Sequence, residues 1–270
     1  MTTRTLALRP RELPDRLLSR GRLWVTTAEV AELLEVPPNE VPPIVARWRA
    51  KGLAFAPTRG AYVLIPPEFR SWGAVPASHF IDPMMRFLGH DYYVGYLSAA
   101  EVHGPAHQRP QVFQVVTSGR LRDRSFGRVQ IEFTTSSDIG HRPTVERNTP
   151  TGTMLVSTPE VTVLDLVAAP DRGGGISNVA TVIGELLESD TVDVSALARV
   201  SADYPLAVRQ RTGWMLEFVA QLLDRVIDLS SLSASIAGTE RTPLLPSAGR
   251  SGRADPRWNV IVNTDVELDL

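Results

Sequence analysis

A chain of 270 residues is long for one compact core and suits two domains. Its 43% apolar and 21% charged residues are those of a folded globular protein, which excludes disordered and fibrous classes. The absence of cysteine excludes disulfides, thiol catalysis and cysteine-held zinc. No apolar run approaches the roughly 20 residues that cross a bilayer. The start, Met1-Thr2-Thr3-Arg4, lacks the apolar core of a signal peptide, so a cytoplasmic location is expected. The net charge of −2 divides unevenly, since residues 1–72 carry eleven basic against seven acidic side chains, +4, leaving −6 for the remainder. Such asymmetry fits a nucleic-acid-binding module joined to a second domain.

In chain order, Leu13, Leu17 and Leu18 at helical spacing after Pro10 predict a first helix over about 10–20, stopped by Gly21. Thr26 and Glu29 form a capping box that opens a second helix through Val30, Leu33 and Leu34, and Pro37-Pro38 end it. A turn containing Asn39 leads into Pro42 and Pro43, which suit the first turn of a third helix. That helix carries the functional argument. Ile44, Val45 and Trp48 repeat on one side, whereas Pro43, Ala46, Arg47 and Ala50 point away, flanked by Arg49 and Lys51. An apolar back with a cationic front is what a recognition helix needs, because Arg donates two hydrogen bonds to guanine and neutralises phosphate. Leu53-Ala54-Phe55 and Ala61 to Ile65 then read as a hairpin with Arg59 at the tip of a wing.

Pro66-Pro67 breaks the pattern and places a boundary near residue 72, with a winged helix-turn-helix domain over 1–72 and a larger mixed α+β domain over 73–270. In the second domain, Tyr92 to Gly104 reads as a small-residue helix, and Val112–Thr117 and Val129–Phe133 read as strands. Between those strands Arg120, Arg122, Arg124 and Arg128 make a basic hairpin turn. It is a candidate second DNA contact, a solvated turn or a partner-facing surface. Thr158 caps a helix through Val167 with Pro159 at its first position, Pro170 to Gly175 interrupts it, and further helices follow over Ser177–Leu187 and Val208–Leu223. Trp258–Asn263 reads as a strand, followed by an acidic terminus expected to fray.

Candidate catalytic chemistry is weak. His103 and His107 share metal-pair spacing, but Gly104-Pro105 interrupts the helix, and the triple glycine 173–175 lacks the Lys-Ser/Thr of a phosphate loop. The expectation is a non-enzymatic protein without cofactor or metal.

Several stretches together resemble the AbiEi-type antitoxins of bacterial abortive-infection, type IV toxin-antitoxin operons. They are Tyr96-Leu97-Ser98-Ala99-Ala100-Glu101-Val102-His103-Gly104, Thr158-Pro159-Glu160 through Asp165 to Val167, Gly173-Gly174-Gly175-Ile176, and Arg209-Gln210-Arg211-Thr212-Gly213-Trp214-Met215-Leu216-Glu217, behind a wing-like Arg59-Gly60-Ala61-Tyr62. The resemblance implies a repressor of its own operon that binds inverted repeats in double-stranded DNA through its N-terminal module. It implies that the second domain counteracts a nucleotidyltransferase-like toxin, directly or indirectly, with the chain monomeric in solution or pairing on DNA. The candidate DNA-contacting residues are Thr26, Thr27, Asn39, Arg47, Arg49, Lys51 and Arg59. The rival from another class is a protein-interaction module that neutralises a toxin without binding DNA.

Overall fold

The structure, a computed structural model, describes residues 9–104, 111–236 and 238–269. In chain order its elements are α1 (Leu13–Leu18), β1 (Trp24–Thr26), α2 (Thr27–Leu34), α3 (Val41–Ala50), β2 (Ala54–Thr58), β3 (Ala61–Leu64), α4 (Ile81–Leu88), β4 (Tyr92–Val94), α5 (Tyr96–His103), β5 (Val112–Thr117), β6 (Arg124–Phe126) and β7 (Val129–Thr135). There follow β8 (Thr144–Thr149), β9 (Gly152–Ser157), α6 (Pro159–Ala168), α7 (Ile176–Glu188), α8 (Val194–Val200), α9 (Leu206–Leu222), α10 (Ser230–Ala234), β10 (Thr242–Pro243), β11 (Arg253–Asp255) and β12 (Val260–Val262). This is an N-terminal winged helix-turn-helix region followed by a mixed α+β domain. No helix among the described residues is long and apolar enough to cross a membrane.

Contacts divide the described chain into two compact units. One holds residues up to Tyr92 together with Gln111–Thr135 and Glu146–Leu155, and the other holds the rest. In the first unit, α1 to α3 pack on a three-stranded sheet of order β1-β3-β2, sealed by Leu13, Leu17, Val30, Leu34, Val45 and Trp48. The start of α2 is set by its capping box: the Thr26 hydroxyl accepts from the Glu29 amide at 3.2 Å, and the Glu29 carboxylate accepts from the Thr26 amide at 2.8 Å. Burial opposes ionisation of Glu29. The Thr26 amide and hydroxyl and the Arg22 guanidinium outweigh it, and the carboxyl sits below its ordinary range. Strand β1, not anticipated from the sequence, arises because Leu23 to Thr26 are extended against β3, with Val25 opposite Tyr62.

The same unit contains a second sheet segment of order β6-β7-β5. Here the expected hairpin between Val112–Thr117 and Val129–Phe133 is corrected: β5 and β7 run parallel, Val112 facing Gln130 through Thr117 facing Thr135. The return journey is made by β6, which pairs antiparallel with β7 around Gly127, so β7 fits between its two predecessors. Gly127 has φ +52°, and a Cβ there would meet the Trp72 carbonyl at 2.0 Å, so glycine alone fits this turn.

The expected helix over 92–104 is shorter. Tyr92–Val94 form buried β4, and the helix begins only at Tyr96, which takes φ +52° after an extended Gly95. An aromatic and β-branched run buried on every side favours strand over helix.

Helix α6 is the centre of the second unit. Every residue from Glu160 to Val167 is buried, so each of its polar groups needs a partner. Thr162 bonds the Ser157 hydroxyl at 2.7 Å, and Glu160 accepts from the Asp193 amide at 3.0 Å. Asp165 accepts from the Tyr93 hydroxyl at 2.9 Å and the Tyr204 hydroxyl at 2.7 Å. Arg142 lies over the Tyr204 ring, 3.5 Å from its centroid, and donates to the Asp203 carbonyl. On α9, Gly213 admits the fully buried Trp258 ring, which a Cβ would meet at 2.0 Å. The Trp258 indole N–H donates to Glu217 at 2.5 Å. The acidic terminus does not fray: the Glu267 and Asp269 amides donate to the hydroxyls of Ser177 and Thr181 on α7.

Burial pushes the Asp165 carboxyl up to about 6, against the lowering effect of the two tyrosine hydroxyls and the Arg142 charge. In the unfolded chain it titrates near about 3.9. The folded state therefore holds this proton more tightly. The stability it contributes is complete below about pH 4 and is lost as pH rises through about 6. Asp165→Asn should remove that dependence, so that wild type loses about 2 kcal/mol more than the variant between those limits in urea unfolding; parallel profiles would contradict it.

Candidate nucleic-acid interface

Helix α3 follows a single 3-10 turn, Pro38–Glu40, and starts at Val41, so Pro42 and Pro43 occupy first-turn positions whose amides have no helical partner. Val41, Ile44, Val45 and Trp48 are buried, and Trp48 is only 3% exposed. At about 100° per residue, the centre of the opposite face is the small ridge Pro43, Ala46 and Ala50. Arg47 and Lys51 stand on one flank of the ridge and Arg49 on the other, all exposed. The arrangement presents a narrow apolar ridge between cations, a shape that enters a groove with charge at its walls.

The remaining candidates fall into two groups. Asn39 lies exposed in the turn before α3. Thr26 and Thr27 are half-buried at the start of α2, where the Thr26 hydroxyl serves the capping box and the Thr27 hydroxyl lies 3.0 Å from the Tyr62 hydroxyl. The Thr27 amide donates to the Gly60 carbonyl at 2.9 Å, which sets the beginning of α2 beside the wing turn. Arg59 is exposed in that turn, and Gly60 takes the left-handed φ of +86° that the two-residue connection requires.

The four arginines between β5 and β7 are not equivalent. Arg120, Arg122 and Arg128 are exposed. Arg124 is half-buried, and its guanidinium donates to the Pro57 carbonyl in wing strand β2. Burial lowers its pKa. Beside it, Phe126 stacks at 4.9 Å on Phe55 of the same wing strand, and Phe80 packs edge-on to both rings. The basic loop therefore braces the wing through one arginine and one phenylalanine and leaves three cations in solvent. Spacing alone held no signal for this division.

His103 lies on α5 with its Nε2 2.6 Å from the Ser157 carbonyl, whereas His107 lies outside the described residues. Among the described residues there is no cluster of three or more His, Asp or Glu able to hold a metal ion. The glycine run closes a turn instead of opening a strand-fed phosphate loop: Pro170–Gly173 form a 3-10 turn, Gly174 and Gly175 take positive φ, and Asn178 donates to the Gly173 carbonyl.

Residues 93–218 match the family described as the AbiEi antitoxin C-terminal domain. An AbiEi-type antitoxin C-terminal domain is thus present over those residues. All four stretches on which the resemblance rested in the second domain fall inside that span. The fold is also similar to that of the RV2827C protein from Mycobacterium tuberculosis, with a TM-score of 0.66 at 14% identity over 93% of this chain and 90% of the other. No curated protein matches the chain by sequence.

Replacing Arg124 by Met keeps the stem but leaves the Pro57 carbonyl without its donor. Unfolding free energy should fall by about 1 to 2 kcal/mol, read by denaturant melts; an unchanged midpoint would show that the brace contributes nothing.

Proposed function

We propose that the protein represses its own operon, with residues 1–72 binding inverted repeats in double-stranded DNA and residues 73–270 counteracting a nucleotidyltransferase-like toxin. Helix α3 enters the major groove, its ridge of Pro43, Ala46 and Ala50 against the base edges. Arg47, Arg49 and Lys51 reach guanine or the flanking phosphates. Thr26, Thr27 and Asn39 approach the backbone beside it, and Arg59 carries the wing to the adjacent phosphates or minor groove. Arg120, Arg122 and Arg128 supply a second backbone contact.

The observation that carries this reading is the division of α3 into a fully packed back and a cationic front on a winged helix-turn-helix scaffold. Exposed arginines on a helix with no buried face would have been mere solubilising charge. Here Trp48 and its neighbours leave only one face available.

Arg47→Ala combined with Arg49→Ala should weaken binding to the DNA upstream of the chain's own reading frame at least tenfold, because a lost bidentate base contact costs about 1–3 kcal/mol. It should also lower the ratio of that affinity to the affinity for a scrambled duplex. Fluorescence anisotropy over a salt titration measures both. Binding that is unaltered in strength and ratio removes α3 from the interface, and toxin neutralisation without any DNA binding favours a pure protein-interaction role.

A further inference from the structure

The cations of α3 are joined by two others that its own sequence does not contain. Between α3 and the chain leading into α1 lies a cleft of about 400 Å³. Its rim is cationic, with Arg47 from α3, Lys51 at the C-cap of α3, and Arg9 and Arg11 from the leading segment. Its floor is apolar, formed by Ile44, Trp48 and Leu53. The leading segment is held in place by a specific contact: the Trp48 indole N–H donates to the Pro10 carbonyl at 3.0 Å, between the two arginines. Glu12 approaches Arg11 at only 3.6 Å with both side chains largely in solvent, a pairing too weak to neutralise it.

We propose that this cleft is a phosphodiester site, in which Arg9 and Arg11 close with Arg47 and Lys51 around a backbone phosphate of bound duplex while the attached deoxyribose rests on the apolar floor. The assignment rests on the DNA-binding reading of α3 and extends it to a segment outside the helix-turn-helix. Four cations around one opening attract a phosphate group of any source. Duplex backbone is the occupant because the same Arg47 and Lys51 flank the outward ridge of α3, so a strand beside that ridge passes the mouth of the cleft. A floor of tryptophan, isoleucine and leucine offers no hydrogen bonds to a base edge but does offer contact to the C–H face of a sugar. The site therefore sets the position of α3 along the groove and reads no sequence itself.

The test uses the full chain and two labelled duplexes, one from upstream of its own reading frame and one scrambled at equal length and composition. Arg9→Ala with Arg11→Ala should weaken binding to both by the same factor and reduce the slope of log affinity against log salt by up to about 0.9, the contribution of one neutralised phosphate. Arg9→Lys with Arg11→Lys should restore most of that slope, because a phosphate accepts a point charge. Both arginines are exposed, so the variants fold, and a thermal melt checks this. The proposal is overturned if the alanine pair binds with wild-type slope while the Arg47 and Arg49 variant is weakened, or if it selectively loses the specific duplex, which would make these arginines base readers. Tight binding of inorganic phosphate without DNA, abolished by the same pair, would assign the cleft to a small anion and also overturn it. Failure of the wild-type chain to bind either duplex overturns the DNA-binding reading itself, a result distinct from the others.

Discussion

The N-terminal module depends on the seating of Trp48. Its ring is packed into the core with Val41, Ile44 and Val45, and that burial decides which way α3 faces. A large aromatic buried this completely contributes roughly 1.5–3 kcal/mol through area removed from water, enough that no rotation of the helix competes. The outward side is then compulsory, and it happens to hold Arg47, Arg49 and Lys51. The same residue acts again through its indole N–H, which reaches the carbonyl of Pro10, 38 positions earlier, and draws the leading segment against the flank of α3. Packing and charge presentation are thus consequences of one side chain.

A comparable constraint organises the second unit. From Glu160 to Val167 helix α6 has no solvent face, so its polar residues are tolerable only because each finds a partner, most conspicuously Asp165 between two tyrosines. This explains the character of the family-like stretches. Thr158 caps the helix, Glu160 receives an amide, Asp165 receives two hydroxyls, Gly213 makes room for Trp258, and Glu217 accepts its indole N–H. These residues build the domain.

The basic segment between β5 and β7 shows how charge counts mislead. Four arginines within nine residues look like one patch, yet Arg124 is turned inward to the wing carbonyl of Pro57 and works with Phe126 as a brace. A guanidinium hydrogen-bonded to a carbonyl and partly desolvated is poorly placed to meet a phosphate as well. Arg120, Arg122 and Arg128 alone of the four stay exposed to solvent.

Local chemistry in the sequence determined the capping box at Thr26 and Glu29, the proline-led starts of α3 and α6, the apolar back of α3 and the wing turn at Arg59-Gly60, because each involves residues within a few positions of one another. It determined the winged helix-turn-helix and mixed α+β class for the same reason. Only the tertiary structure decided that β5 and β7 run parallel, that Tyr92–Val94 leave the helix to form a strand, that Arg124 is inward while Arg122 is outward, and that Arg9 and Arg11 stand beside Lys51. Those outcomes hinge on partners tens of positions away, and periodicity reports which side of an element is apolar without naming what will cover it.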